Sequence, residues 1–121
     1  MTTIPLSQGI RWDVIEKADK WLDDSVSETY KTQPLAQDWA RVVKVIEEIG
    51  EAIANLILYT GQNPRKVSKN PDNDETEMLL ELADTAVTAI LGIQHFTKDT
   101  WTTRHIVQSA IAKIESRIPD E

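Results

Sequence analysis

The sequence contains no cysteine, and it has only four glycines and five prolines among 121 residues. Without cysteine, disulfides and thiolate metal sites are excluded. Few glycines and prolines, together with 40% hydrophobic and 27% charged residues, disfavour disorder outside the ends and one central loop. No apolar stretch is long enough to span a bilayer, so no membrane association is expected.

Positive charge is also in short supply, because 13 basic residues stand against 20 acidic ones and the net charge is -7. This balance disfavours non-specific binding to nucleic acids or anionic membranes, since few cations are available to displace the counterions of phosphates. Nucleotides remain possible ligands, because a metal ion can bridge acidic side chains to phosphates. The N-terminal residues show no basic region followed by an apolar run, so a cytoplasmic protein without a secretory signal is expected.

The length of the chain predicts a single domain spanning residues 1–121. Apolar residues recur at helical spacing in four segments, and no segment alternates as a strand would. We therefore expect an all-α protein, an antiparallel four-helix-type bundle that exposes apolar surface unless it pairs with a copy of itself. The predicted helices run from about Ser7 to Tyr30, from Pro34 to about Thr60 with Gly61 as cap, from Asp74 with a capping box to Glu77 as far as Phe96, and from Asp99 or Thr100 to about Ile118.

The second predicted helix separates apolar from acidic residues. The residues on its apolar side are Val42, Val45, Ile46, Ile49, Ile53, Leu56 and Ile57. Glu47, Glu48 and Glu51 lie on the opposite side, where side chains three or four residues apart can reach a common point. Taken alone, this pattern is typical of any solvated helix face.

The third predicted helix carries more information, because apolar residues cover most of its circumference. Such a helix is expected to be buried on nearly all sides. Its narrow polar stripe contains Glu81 and Asp84, and two carboxylates in a buried helix are costly unless something neutralises them.

Antiparallel packing of these two helices would bring four carboxylates together, those of Glu48, Glu51, Glu81 and Asp84. Two unit charges ~4 Å apart at an effective dielectric constant of ~20 repel by about 4 kcal/mol. Either some of these carboxyls keep their protons or divalent cations lie between them. Oxygen ligands without His or Cys favour Mg²⁺, with Mn²⁺ as the other option, and Mg²⁺ keeps coordination positions open for phosphate.

At these residues the chain resembles the MazG-like all-α nucleotide pyrophosphohydrolases, a superfamily that includes dimeric dUTPases, dCTP pyrophosphatases and phosphoribosyl-ATP pyrophosphohydrolase. The resemblance rests on Glu47-Glu48-Ile-Gly-Glu51, the loop that follows, and Glu81-Leu-Ala-Asp84, and it covers about half of the chain. It implies hydrolysis of a nucleoside triphosphate to the monophosphate and pyrophosphate, often as housecleaning of non-canonical nucleotides. It also implies a homodimer or homotetramer whose active sites involve more than one subunit.

The resemblance further implies roles for individual residues. Glu48, Glu51, Glu81 and Asp84 would be the magnesium ligands, and Glu47 the catalytic group that orients and deprotonates the attacking water or binds a further metal ion. Basic side chains should contact the triphosphate, with Lys44, Arg65 and Lys66 as candidates. Lys44 could equally pair with Glu48 at i, i+4, and the other two could be solvated loop charges.

Trp39, at the start of the motif helix, is the candidate for stacking on the nucleobase, with packing in a core or subunit interface as the alternative. Trp12, Trp21 and Trp101 are weaker candidates. His95 and His105 lie outside the acidic motifs and are expected to be structural.

Three other functions compete with this interpretation. A di-iron bundle would need Glu-x-x-His pairs, and neither acidic motif contains one. A non-catalytic helical module could use the acidic stripe for assembly or nucleotide sensing. Phosphoribosyl-ATP hydrolysis is the alternative reaction, since it shares the same arrangement of acids.

Overall fold

The computed structural model describes residues 9–120, apart from the side chain of Tyr30. The regular secondary structure of this part of the chain is all helical, with no strand, which confirms the all-α prediction. The helices are α1 (Trp12–Ser25), the single turn α2 (Glu28–Lys31), α3 (Pro34–Thr60), α4 (Pro71–Thr97) and α5 (Thr100–Glu115).

Helices α3 and α4 form an antiparallel hairpin. Asp38, near the start of α3, lies 2.7 Å from His95 near the end of α4. Further along, a carboxylate oxygen of Glu51 lies within 4.8 Å of one of Glu81. The two helices therefore run in opposite directions in one register, which brings the two acidic motifs side by side as the sequence predicted. Gly61 ends α3 in the left-handed conformation with a φ of 65°, as expected of a glycine cap.

Two predicted helix boundaries are wrong. The first helix ends at Ser25, because Val26 adopts an extended conformation with a ψ of 157°. The third predicted helix begins at Pro71, three residues before Asp74. Asn70 caps it by accepting a hydrogen bond from the Asn73 amide, and proline suits the first helical position since it lacks an amide hydrogen.

The predicted capping box is absent for the same reason. The Asp74 carboxylate instead accepts a hydrogen bond from the Ser68 hydroxyl. Ser7 and Gln8, at the start of the first predicted helix, lie outside the described residues. At the other end of the chain, α5 stops at Glu115, slightly before the predicted end.

Helices α1 and α5 cover only one end of the hairpin. They pack against α4 and each other, and the buried residues of α4 lie near its C-terminus: Gly92, Gln94 and His95. Towards its N-terminus α4 exposes Leu79, Leu80, Leu82 and Val87. The prediction that this helix is buried on nearly all sides is therefore wrong for a single chain, because among the described helices α3 covers one side of its first half and leaves the other sides exposed.

A continuous apolar stripe on α3 is also exposed. Its members recur at alternating steps of four and three residues, the spacing of a helix seam that packs against another helix: Leu35, Trp39, Val42, Ile46, Ile49, Ile53 and Leu56. The chain exposes 9455 Å² in total. A compact monomer of 13.7 kDa would expose about 6,600 Å². The fold of one chain thus leaves a large apolar face uncovered.

A partly buried group of ionisable side chains, here called the polar junction, attaches α1 to the hairpin. Its members are Asp19, Asp23, Arg41, His95 and Lys98. The Arg41 Nη2 atom lies 3.0 Å from Asp19 Oδ1 and 2.9 Å from Asp23 Oδ1. Lys98 Nζ lies 2.8 Å from the other oxygen of Asp23. The carboxylates of Asp19 and Asp23 are therefore both paired with cations from the hairpin.

None of the described helices is both long enough and apolar enough to cross a membrane.

Candidate functional site

The acid cluster consists of Glu48, Glu51 and Glu81. One carboxylate oxygen from each residue lies within 4.8 Å of the others. Helix α3 supplies two of them one turn apart, and the antiparallel register places Glu81 of α4 opposite. Glu48 is largely buried, Glu81 is half-buried and Glu51 is exposed, so the cluster opens to solvent on one side.

Glu81 is electrostatically unfavourable as a carboxylate. Its Oε2 atom is buried and has no hydrogen-bond partner among the described residues. The pKa of Glu81 is raised, first by a hydrogen bond with Glu51, then by desolvation, and then by the negative charges of Glu51, Asp84 and Glu48. Two carboxyl groups share a hydrogen bond only when one of them holds a proton, so this arrangement calls for a proton or a cation.

The donor set suits a hard divalent cation. All three groups offer oxygen, one oxygen is buried without a donor, and the open side leaves room for water or phosphate oxygens. Mg²⁺ and Mn²⁺ prefer such ligands. The residues present therefore fit the predicted magnesium ion.

Asp84 and Glu47 lie at the border of the acid cluster. Asp84 stands one helical turn after Glu81 and is exposed, outside the group of three, but its charge contributes to the raised pKa of Glu81. Glu47 is also exposed, and its Oε1 atom lies 3.0 Å from Lys44 Nζ. Both residues therefore neighbour the acid cluster without belonging to it.

Lys44 bridges Glu47 and Glu48. Its Nζ lies 3.5 Å from Glu48 Oε1, so the pairing considered from the sequence is present. The pKa of Lys44 is raised, chiefly by its hydrogen bond with Glu47. The ammonium group is thus already at the edge of the acid cluster, where a phosphate could meet it.

The other predicted substrate contacts lie away from the acid cluster in a single chain. Arg65 and Lys66 are exposed in the loop after α3, which begins ten residues after Glu51, or about 15 Å along the helix axis. Trp39 stands nine residues before Glu48, about half a turn around the helix. It lines an apolar groove with Leu35 and Phe96 on the exposed side of the hairpin.

Both histidines make contacts that are typical of structural residues. His95 is buried in the polar junction, and its Nε2 lies 2.7 Å from Asp38. His105 meets Trp101 edge to face, with ring centroids 4.7 Å apart. Within the described residues neither contributes to the acid cluster, which argues against a di-iron site.

The polar junction itself contains a second set of possible ligands, Asp19, Asp23 and His95, whose ligand atoms lie within 4.8 Å of one another. Arg41 and Lys98 already bind both carboxylates, so a divalent cation would be repelled by two positive groups. We therefore regard the polar junction as structural. The sequence signal for it is Asp19, an acid four residues after the buried Ile15 and so on the apolar face of α1.

Sequence reasoning also missed an apolar groove between α1, α3 and α4. Its volume is about 370 Å³, and Trp21 and Lys44 are among its lining residues. Lys44 thus belongs to this groove and also touches the acid cluster. The signal in the sequence is weak, because Trp21 looks like one more apolar residue of an amphipathic helix.

Comparisons of the chain with models of known protein families, with curated proteins and with solved structures find no match.

Proposed function

We propose that the protein is a magnesium-dependent hydrolase that converts a nucleoside triphosphate to the monophosphate and pyrophosphate. The observation that supports this most is the Glu81 carboxyl, which clusters with the carboxylates of Glu48 and Glu51 and whose Oε2 atom is buried with no hydrogen-bond donor among the described residues. A purely structural helix pair would gain stability by replacing such a group with an apolar residue. A bound cation that in turn binds phosphate would explain why a carboxyl group occupies this half-buried position.

Glu48, Glu51 and Glu81 would hold the metal ion, with Asp84 as a fourth ligand after a change of rotamer at its exposed position. A bound Mg²⁺ would make water more acidic and offset the negative charge of the phosphates. Lys44 would bind a phosphate oxygen from the edge of the acid cluster. Glu47 Oε1 is engaged by Lys44, and we propose that its Oε2 accepts the proton of the attacking water.

We also propose that the working form is a homodimer or homotetramer with the MazG-like arrangement. The support for this is the exposed apolar stripe of α3 together with the exposed apolar residues of α4. Stable homodimer interfaces bury roughly 2,000 Å² or more in total and resemble a domain core cut in half. A second copy would cover this face and could also bring Arg65, Lys66 or Trp39 to the acid cluster of its partner.

Pyrophosphate release tests the proposed reaction. The purified protein is incubated with Mg²⁺ and a panel of canonical and non-canonical nucleoside triphosphates and phosphoribosyl-ATP, and pyrophosphate is quantified. We expect turnover of at least one nucleoside triphosphate and loss of turnover on chelation. Turnover of phosphoribosyl-ATP alone would favour the alternative reaction, and no turnover of any compound would favour a non-catalytic module.

Variants of the acids identify the site. Glu81→Gln and Glu51→Gln should reduce turnover by at least about 100-fold, because each removes a negative ligand from the metal ion. Glu77→Gln is the matched control, since it makes the same change at an exposed position one turn before Glu81 on the same helix. Turnover of Asp84→Asn shows whether Asp84 is the fourth ligand. Wild-type turnover in Glu81→Gln would contradict the proposed site.

A further inference from the structure

We propose that the groove between α1, α3 and α4, here called the Trp21 groove, binds the base of the nucleotide whose phosphates lie at the acid cluster. This inference rests on the proposed function and adds to it the part of the site that selects the substrate. Its ligand is a flat aromatic ring joined to a phosphate chain.

The Trp21 groove has the size and lining of a small-molecule site. Its volume of about 370 Å³ falls in the range of pockets that hold such ligands. Space exists there because small residues face it from all three helices: Ala18, Ala40 and Gly92. The larger lining residues Leu22, Leu91 and Trp21 are apolar, which suits the two faces of a nucleobase.

The Trp21 groove and the acid cluster lie on the same side of the hairpin. Arg41 lines the groove and stands seven residues before Glu48, which places both side chains within ~20° of each other around α3. Thr88 lines it from α4 and stands seven residues after Glu81, with the same angular relation. The groove and the acid cluster therefore lie on the same face of α3 and on the same face of α4.

The distance between the two sites suits one nucleotide. Ala40, Arg41 and Lys44 of α3 line the groove, and Glu48 follows four to eight residues later, or about 6–12 Å along the axis. A ribose and its first phosphates can bridge that gap. Lys44 is one of the lining residues, and its ammonium nitrogen lies 3.5 Å from Glu48 Oε1. The positive charge is therefore placed where the phosphate chain would pass.

Trp21 is a better stacking residue than Trp39 within one chain. Its indole is 66% exposed and borders the groove, so a ring could lie against it without displacing other side chains. Trp39 lies on the other side of α3 from Glu48. We therefore assign base stacking to Trp21 and treat Trp39 as part of the apolar face.

The test compares two ligands that share phosphates but not a base. Affinities of the full-length protein in Mg²⁺ are measured by calorimetry for inorganic tripolyphosphate and for a panel of α,β-methylene nucleoside triphosphates, which resist cleavage at the scissile bond. We expect the best analogue to bind the wild type more tightly than tripolyphosphate. Trp21→Ala should weaken that analogue about 5- to 150-fold, the usual range for loss of one base–aromatic stack, and leave tripolyphosphate unchanged.

Three variants serve as controls. Trp21→Phe keeps an aromatic face and should retain most of the affinity. Trp101→Ala removes an indole that is 65% exposed on α5 and does not line the groove, so it should change neither ligand. Glu81→Gln should weaken both ligands, because it acts on the phosphate end. Circular dichroism checks that each variant is folded. If Trp21→Ala does not fold, Trp21→Phe still allows the comparison.

The possible outcomes separate the two proposals. Nucleotide binding that is tight but equal in the wild type and Trp21→Ala would overturn the inference and leave the proposed function standing. The inference also fails if tripolyphosphate binds as well as every nucleotide, or if Trp21→Ala only dissociates an oligomer in light scattering, since the groove would then hold a second copy. No magnesium-dependent binding of either ligand to the wild type would overturn both.

Discussion

At the scale of single residues, Glu81 links electrostatics to function. In the metal-free protein the pKa of Glu81 is raised, first by its hydrogen bond with Glu51, then by desolvation, and then by the charges of Glu51, Asp84 and Glu48. The folded protein therefore holds this proton more tightly than the unfolded chain does. A cation at the acid cluster would replace the proton, so binding and protonation should compete.

The raised pKa of Glu81 predicts that the stability of the metal-free protein depends on pH. Since the folded-state pKa of Glu81 is raised, its contribution to stability is fully present below the ordinary glutamate value of 4.5 and is lost as the pH rises through the raised pKa. In a chelator, the wild-type melting temperature should fall over that window. Glu81→Gln should show a smaller fall and melt a few degrees higher at about pH 8, while Glu77→Gln should match the wild type.

Added magnesium should reverse the order of the melting temperatures, so that the wild type melts above Glu81→Gln. Added Mg²⁺ should raise the melting temperature of the wild type and of Glu77→Gln at neutral pH, with little effect on Glu81→Gln. Differential scanning fluorimetry across about pH 4 to 8 covers the window. A wild-type melting temperature that is independent of pH and of Mg²⁺ would show that Glu81 is merely a solvated acid.

The acid cluster was predictable because its members are identified by their helical spacing and by the narrow polar stripe in an otherwise apolar helix. Glu48, Glu51 and Glu81 follow from the period of two helices and their antiparallel packing. Trp39 was a plausible stacking residue by its place at the helix start, but helix geometry puts it about half a turn from Glu48. Trp21 could not be selected from the sequence, because its position depends on how α1 crosses the hairpin.

At the scale of elements, the polar junction determines where α1 lies. Arg41 donates to the Asp19 backbone carbonyl at 3.0 Å and binds the carboxylates of Asp19 and Asp23. Its side chain is 11% exposed and that of Asp19 is 7% exposed. These contacts join residues 22 and 18 positions apart, so helical periodicity along one segment could not reveal them.

Removal of Arg41 should therefore loosen α1. Arg41→Gln leaves the Asp19 carboxylate buried with fewer cations, a change that typically costs about 3–5 kcal/mol of unfolding free energy. Arg11→Gln is the matched control, because it breaks a solvent-exposed pair with Asp13 and should cost far less. Urea denaturation measures both. Equal losses in the two variants would mean that the polar junction does not hold α1.

At the scale of the whole molecule, one chain buries few apolar side chains. Among the described residues, Ile15 and Ala52 are the hydrophobic residues that are fully buried, while the apolar stripe of α3 stays exposed. The sequence predicted both the apolar positions and their periodicity. It could not show which of them face another helix of the same chain and which face outwards, since that depends on where α1 and α5 pack.

Charge placed on the apolar stripe should separate the copies. Ile46 is 67% exposed at the middle of the stripe, so Ile46→Glu would put a carboxylate into the proposed interface opposite its own symmetry mate or another apolar side chain. We expect the mass measured by light scattering to fall from a dimer or tetramer towards that of a monomer. Magnesium-dependent turnover should fall with it if the partner completes the site.

Ile111→Glu provides the comparison, because Ile111 is 60% exposed on α5 and lies away from the stripe. Its mass and turnover should match those of the wild type. Dissociation by Ile111→Glu and not by Ile46→Glu would place the interface on α5. A wild-type protein that is monomeric at assay concentration and fully active would instead show that the acid cluster of one chain works alone, and that the apolar stripe has another partner.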